Sequence, residues 1–195
     1  NDSMSDKHAK KIEGIKDGLF KDFNYSKYKV KTPPKNNSMV VYNELQFLKD
    51  LPEDDGYVVE HDDIEKVFEQ VCIEHNLEYP KELVKKLLKS AAGIILDLKY
   101  HYNRPRPNQL AQYYKLKLFP YASHTANTPS YPSGHTLEAF VILNVIANKY
   151  PKECDFCDQM IEDISNSRLY LGLHYPSDND FAVLVGNEVL KHKEF

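Results

Sequence analysis

The chain has 195 residues, 42% hydrophobic and 28% charged, the ordinary balance of one soluble globular domain with a sizeable core. A net charge of −4 gives no basic footprint for general nucleic-acid or anionic-membrane binding. The most apolar stretches, 91–98 and 139–147, fall short of the about 20 residues of a spanning helix, and residues 1–20 carry no apolar signal-peptide core.

In chain order, Ala9, Ile12, Ile15 and Leu19 predict a helix over 6–20, followed by a Tyr/Lys stretch and the connector Thr32-Pro-Pro-Lys-Asn-Asn-Ser38. A second helix is expected over 39–50, capped by Ser38 and ended by Leu51-Pro52. Asp62 or Asp63 starts a third, through His75. Pro80 opens a long one to about Tyr102, with Leu83, Leu87, Leu88, Ala91 and Ile95 on its buried face. Residues 103–132 hold five prolines and read as irregular loop around a short helix near 108–116, and a loop this long is usually functional. Helices are then predicted over 134–149, 152–172 and 176–192. Strand signals are weak, so the fold class is all-α: one helical bundle spanning 1–195, with 1–38 as a helix plus connector ahead of it and the motifs within 99–178.

Cys72, Cys154 and Cys157 are too few for a disulfide framework, and Cys154-Asp-Phe-Cys157 lacks the second ligand pair of a zinc site. The latter two read as reduced thiols one turn apart on a helix. The acidic runs at 53–55 and 61–63 read as solvated helix-start residues rather than a cation site. Tyr100, Tyr102, Tyr113, Tyr114, Tyr121 and Tyr131 crowd the long loop, either at a pocket mouth or packing the loop onto the bundle. His101 and His124 beside the motifs read as exposed loop residues.

Three arginines stand against 22 lysines, and all three lie in motifs suited to phosphate. The planar guanidinium grips two oxygens at once, which an ammonium cannot do. In Lys99-x6-Arg106-Pro107, two cations near a helix end and a proline-stiffened loop suit the equatorial oxygens of a phosphoryl group, although alone they more readily describe a solvated face. In Pro132-Ser133-Gly134-His135, Ser133 caps an apolar helix whose free N–H groups form an anion seat, and His135 in its first turn is placed to donate a proton. A plain cap with an incidental histidine is the bland alternative. In Ser167-Arg168-x5-His174-x3-Asp178, a carboxylate accepting Nδ1–H of His174 would leave Nε2 with a free lone pair, as a nucleophile requires. Taken singly, a buried imidazole and a helix-dipole acid explain that pair as well.

The three motifs together specify eleven positions in order, and with their flanks (Asn103-Arg-Pro-Arg-Pro107, Thr128-Pro-Ser-Tyr-Pro-Ser-Gly-His135, Gly172-Leu-His-Tyr-Pro-Ser-Asp178) they resemble the type 2 phosphatidic acid phosphatase superfamily. That group includes soluble class A acid phosphatases, membrane lipid-phosphate phosphatases and vanadium haloperoxidases. The resemblance runs over roughly 80–192 and implies a helical fold and a metal-independent, two-step phosphatase. His174 would attack phosphorus, oriented by Asp178; Lys99, Arg106, Ser133, Gly134 and Arg168 would hold the phosphoryl oxygens; His135 would protonate the leaving group and then assist water. Arg104 has no place in the motif, and either stands behind the site or touches substrate.

The expectation is therefore a soluble acid phosphatase acting on small phosphate monoesters, with no cofactor or metal, no nucleic-acid partner and no stable membrane insertion. Vanadate is expected to bind as a mimic of the phosphoryl transition state. The opposed titrations of His135 and His174 predict a bell-shaped pH profile with an acidic optimum. A cytoplasmic site is favoured, with the periplasm or the exterior open if a leader was removed ahead of Asn1; the sequence sets no oligomeric state. A lipid-phosphate or diphosphate phosphatase would share this chemistry, without a spanning or basic amphipathic helix here to meet its substrate. A haloperoxidase would use vanadate as cofactor, in a family branch of much larger chains. A mere phosphate-binding module would need neither the His/Asp pair nor His135.

Overall fold

The computed structural model describes residues 4–53, 56, 63–120, 126–189 and 191. Asp54, Asp55, His61 and Asp62 of the acidic runs, together with Tyr121 and His124, lie outside these. The elements are α1 (Asp6–Glu13), α2 (Met39–Asp50), α3 (Ile64–Glu74), α4 (Lys81–Tyr102), α5 (Pro107–Ala111), α6 (Gly134–Lys149), α7 (Cys157–Tyr170) and α8 (Pro176–Val189). Short 3-10 turns follow α1 and α5 and cover Tyr25–Val30. No strand occurs among the described residues, and none of their helices is long and apolar enough to cross a membrane.

Local chemistry sets most starts and stops. Ser38 Oγ accepts from Val41 N–H at 3.3 Å to begin α2, and Asp63 does the same for Lys66 N–H at 3.3 Å to begin α3. Asn103, in the left-handed region at φ 48°, ends α4. Helix α6 is apolar on every side because it is the centre of the bundle, packed against α4, α7 and α8. Leu87, Ile94 and Leu98 of α4, Leu137, Ile142 and Ile146 of α6, Ile164 of α7 and Val185 of α8 meet in that core. Each such burial contributes roughly 1.5–3 kcal/mol against chain entropy.

Two further contacts bring peripheral segments to the motif-bearing end. Val41 and Leu45 of α2, Leu110 and Ala111 of α5, and Tyr175 form a second cluster, which pins the proline-rich loop to the α7–α8 corner. Helix α1 lies directly on the backbone of α4: a Cβ at Gly93 would fall 2.5 Å from Lys11 O, so only glycine permits this approach.

Several boundaries differ from expectation. The first helix stops at Glu13 and tightens into a 3-10 turn from Gly14, where glycine weakens helix propagation. Helix α7 starts at Cys157 rather than 152, because residues 151–156 form turns after α6. Cys154 and Cys157 are therefore not one turn apart on a helix; the structure pairs them as a disulfide with a Cα–Cα distance of 5.4 Å. Cys72 is a buried free thiol. Three of the loop tyrosines pack: Tyr131 stacks on Phe181 with ring centroids 4.1 Å apart, Tyr102 sets its edge against both, and Tyr114 meets Tyr42, whereas Tyr113 is exposed. His101 lies within 3.0 Å of Lys29 O.

Candidate active site

Lys99 reaches the site from the last turn of α4, and its ammonium donates to Pro129 O at 2.9 Å and Thr128 Oγ1 at 3.3 Å. Arg106 comes from the cap of α5. Its Nε donates to Thr128 O at 2.8 Å, Nη2 to Thr128 Oγ1 at 3.3 Å and Nη1 to Leu173 O at 3.0 Å. Thr128 thus organises both cations, a role invisible in the motif spacing. Arg168, from the last turn of α7, is buried beside them. Burial first, and then the neighbouring Arg106, push the Lys99 ammonium well below its ordinary range. Three cations converge on one cavity, an arrangement that a bound dianion would relieve.

His174 follows Gly172, whose φ of +69° turns the chain out of α7 at a position that favours glycine. The imidazole is 1% exposed. Its Nε2 lies 2.9 Å from Arg106 Nη1 and its Nδ1 2.9 Å from Asp178 Oδ2. A guanidinium can only donate, so Nε2 accepts, and the proton sits on Nδ1, facing the carboxylate. Burial, followed by Arg106, Lys99, Arg168 and His135, holds the ring well below the usual histidine range, hence neutral.

Asp178 stands behind His174 in the first turn of α8. Its Oδ1 accepts from Arg104 Nη1 at 2.6 Å, while Oδ2 accepts from His174, from Tyr175 N–H at 3.0 Å and from the Ser130 hydroxyl. Burial pushes this carboxyl up, and Arg104 is the foremost group pulling it back. Four donors around two oxygens leave no place for a carboxyl proton, so the group is ionised. Arg104, which the motif omits, is the cation paired with Asp178. It also donates to Ser177 Oγ at 2.8 Å, lies over the Tyr175 ring at 3.7 Å and approaches Glu44 Oε1 at 3.7 Å. Glu44 in turn accepts from Ser177 N–H at 2.9 Å, which ties α2 into the chain of contacts that ends at His174. Its signal was scarcity, one of three arginines in a lysine-rich chain.

At the start of α6, Ser133 is fully buried; its Oγ accepts from Thr136 N–H at 3.4 Å and donates to Thr136 Oγ1 at 3.1 Å. Ser133 and Asp178 form the layer behind the cavity, which has a volume of about 800 Å³. Lys99, Arg106, Gly134, His135, Arg168 and His174 line it. Six of the eight expected site residues therefore share one surface, and two support it. The N-terminal region, which carries no motif, also contributes: Lys7, His8 and Lys11 of α1 and Asp63, Ile64 and Glu65 from the start of α3 line the same space. His8 Nδ1 lies 2.8 Å from the Tyr100 hydroxyl, tethering α1 there. Glu138 of α6 lines it as well, with burial raising its carboxyl to about 7. Among the described residues, no group of three His, Cys, Asp or Glu side chains is placed to hold a metal ion.

Residues 86–190, more than half of the chain, match the family model described as the PAP2 superfamily, the one that the motifs resemble. Every residue from Lys99 to Asp178 named above falls inside the matched segment. A search of curated proteins finds no match to the chain.

Proposed function

The chain belongs to the PAP2 superfamily, which makes it a phosphatase-type enzyme, and from that premise we propose that it hydrolyses small phosphate monoesters through a phosphohistidine, without a metal. The observation that carries this reading is His174, neutral, with Nδ1–H turned to Asp178 and Nε2 turned toward the guanidinium of Arg106. A phosphoryl oxygen entering the cavity takes over that guanidinium N–H and frees the Nε2 lone pair. Nε2 then forms a bond to phosphorus as the bond from phosphorus to the leaving oxygen breaks, and Asp178 offsets the charge developing on the ring. Lys99, Arg106, Arg168 and the N–H groups at Gly134 meet the equatorial oxygens, with Ser133 setting the start of α6 behind them. Protonated His135 gives its proton to the leaving oxygen. In the second step it takes a proton from water, which attacks phosphorus, and inorganic phosphate leaves as His174 is restored.

The test is turnover of p-nitrophenyl phosphate in the presence of EDTA, with vanadate as inhibitor. Steady hydrolysis that vanadate suppresses is the expected result; absence of turnover in EDTA, restored by a divalent cation, would overturn the metal-independent mechanism. The pH profile is a second expectation. Protonating His174 removes the nucleophile, and because its pKa is depressed, that loss comes well below pH 6.5. The catalytic efficiency kcat/KM should therefore persist into the acid range. A profile already halved near pH 6.5 on its acid limb would contradict the neutral, buried nucleophile.

A further inference from the structure

A phosphoryl cage needs donors and cations, yet this cavity also holds a carboxylate. Glu138 sits one turn beyond Gly134 on α6; its Oε1 lies 3.9 Å from where a Cβ on Gly134 would stand, and Lys99 Cε lies 3.8 Å from the same point. The group is thus over the first turn of α6, beside His135, the proposed donor to the leaving oxygen. It accepts no hydrogen bond from the described residues. Lys99 of α4, Arg168 of α7 and Lys11 of α1 face it as cations, and Glu65 of α3 as an anion. Above about pH 7, where it is ionised, this carboxylate only accepts hydrogen bonds, so it repels phosphoryl oxygens and does not help to hold them. The same cavity is lined by Ile64, Leu88, Ala92, Ile95 and Leu96, an apolar surface that the phosphoryl group does not use either.

We propose that Glu138 reads the leaving group: it accepts a hydrogen bond from a donor, hydroxyl or ammonium, carried within a few carbons of the ester oxygen, while the apolar residues receive the carbon skeleton. The substrate class is accordingly a phosphate monoester of a hydroxylated or aminated alcohol, an assignment that rests on the phosphatase reading above. Glu138 is partly buried at the cavity wall, and desolvation there raises its carboxyl to about 7. A site built around a hydrogen-bonded group discriminates against the analogue without it, because a bound ligand then covers the acceptor and leaves it unmet.

The experiment measures binding of non-hydrolysable phosphonates by calorimetry at about pH 8, where Glu138 is ionised: propylphosphonate, 3-hydroxypropylphosphonate and 3-aminopropylphosphonate, each with the wild-type chain, Glu138→Gln and Glu138→Leu. One or both donor-bearing ligands should bind the wild type about tenfold or more tightly than propylphosphonate, with the gap closing in Glu138→Leu. A preference partly kept in Glu138→Gln identifies a hydroxyl, since the amide oxygen still accepts; a preference for the amine lost there identifies an ammonium. Equal affinities in the wild type, or a gap that survives in Glu138→Leu, overturn the proposal. If the preference follows Glu138 while no monoester is hydrolysed, the subsite stands and the phosphatase reading fails.

Discussion

Replacing His174 with alanine is expected to lower kcat on p-nitrophenyl phosphate by at least about four orders of magnitude, the scale on which losing an activated nucleophile registers. The size of the effect follows from what His174 does that its neighbours cannot. Lys99, Arg106 and Arg168 lower the energy of charge on the phosphoryl oxygens, and they remain in the variant. None of them presents a neutral lone pair at phosphorus. His135 lines the same cavity, but the Asp178 contact that fixes the tautomer belongs to His174. Stability should change less than activity, because Asp178 keeps Arg104, Ser130 and the Tyr175 N–H as partners. A thermal melt separates the two effects. Rapid quenching of the wild type under basic conditions should trap phosphate on histidine, and the variant should trap none. Turnover within tenfold of wild type in a folded His174→Ala chain would remove the assigned nucleophile.

The second large effect is structural in origin. Arg104→Ala leaves Asp178 buried with its ion-pair partner gone, and breaking such a pair costs about 3–5 kcal/mol. For a chain of this length that corresponds to a fall in Tm on the order of 10 °C. The sign of its pH dependence identifies the cause. Burial already raises the carboxyl, and Arg104 is the main group lowering it, so the variant's Asp178 has a higher folded pKa. A carboxyl whose folded pKa exceeds its unfolded value is accommodated below the unfolded value and loses stability as pH rises through the folded one. The Tm deficit should therefore be small near pH 4 and widen toward pH 7. A deficit that is constant with pH would point to lost packing on Tyr175 instead. Activity should fall with it, since a protonated Asp178 no longer offsets charge on His174. Arg104→Lys should rescue little, because one ammonium cannot serve Ser177 and Asp178 while lying flat over Tyr175. Asp178→Asn added to Arg104→Ala should cost much less than in the wild-type background, as expected for two partners in one pair.

Some of this molecule can be read from adjacent residues. Ser38 and Asp63 cap their helices through bonds three residues away, and apolar spacing marks α4 and α6, because caps and periodic burial act within a turn or two. The i, i+4 relation of His174 and Asp178 is local in the same sense, and so is the reach of Arg106 to its α5 cap. The type of each candidate group, and the chemistry those types allow, was therefore written in the linear order of the chain. The start of helix α7 was not: the turns of 151–156 and the Cys154–Cys157 pairing have no periodic signature to oppose a helical reading.

The tertiary structure decided who stands behind whom. Arg104 reaches Asp178 across 74 positions, and Lys99 reaches Thr128 across 29. Ser133 turned out to face the interior, and the start of α3 came to the cavity along with α1, which rests on the bare backbone at Gly93. Such contacts carry no spacing rule, because they depend on which buried faces meet once the helices pack. Hydrogen bonds and side-chain periodicity are short-ranged and leave their mark in sequence, whereas the mutual placement of helices is set by the summed burial of many side chains and appears only in the folded chain.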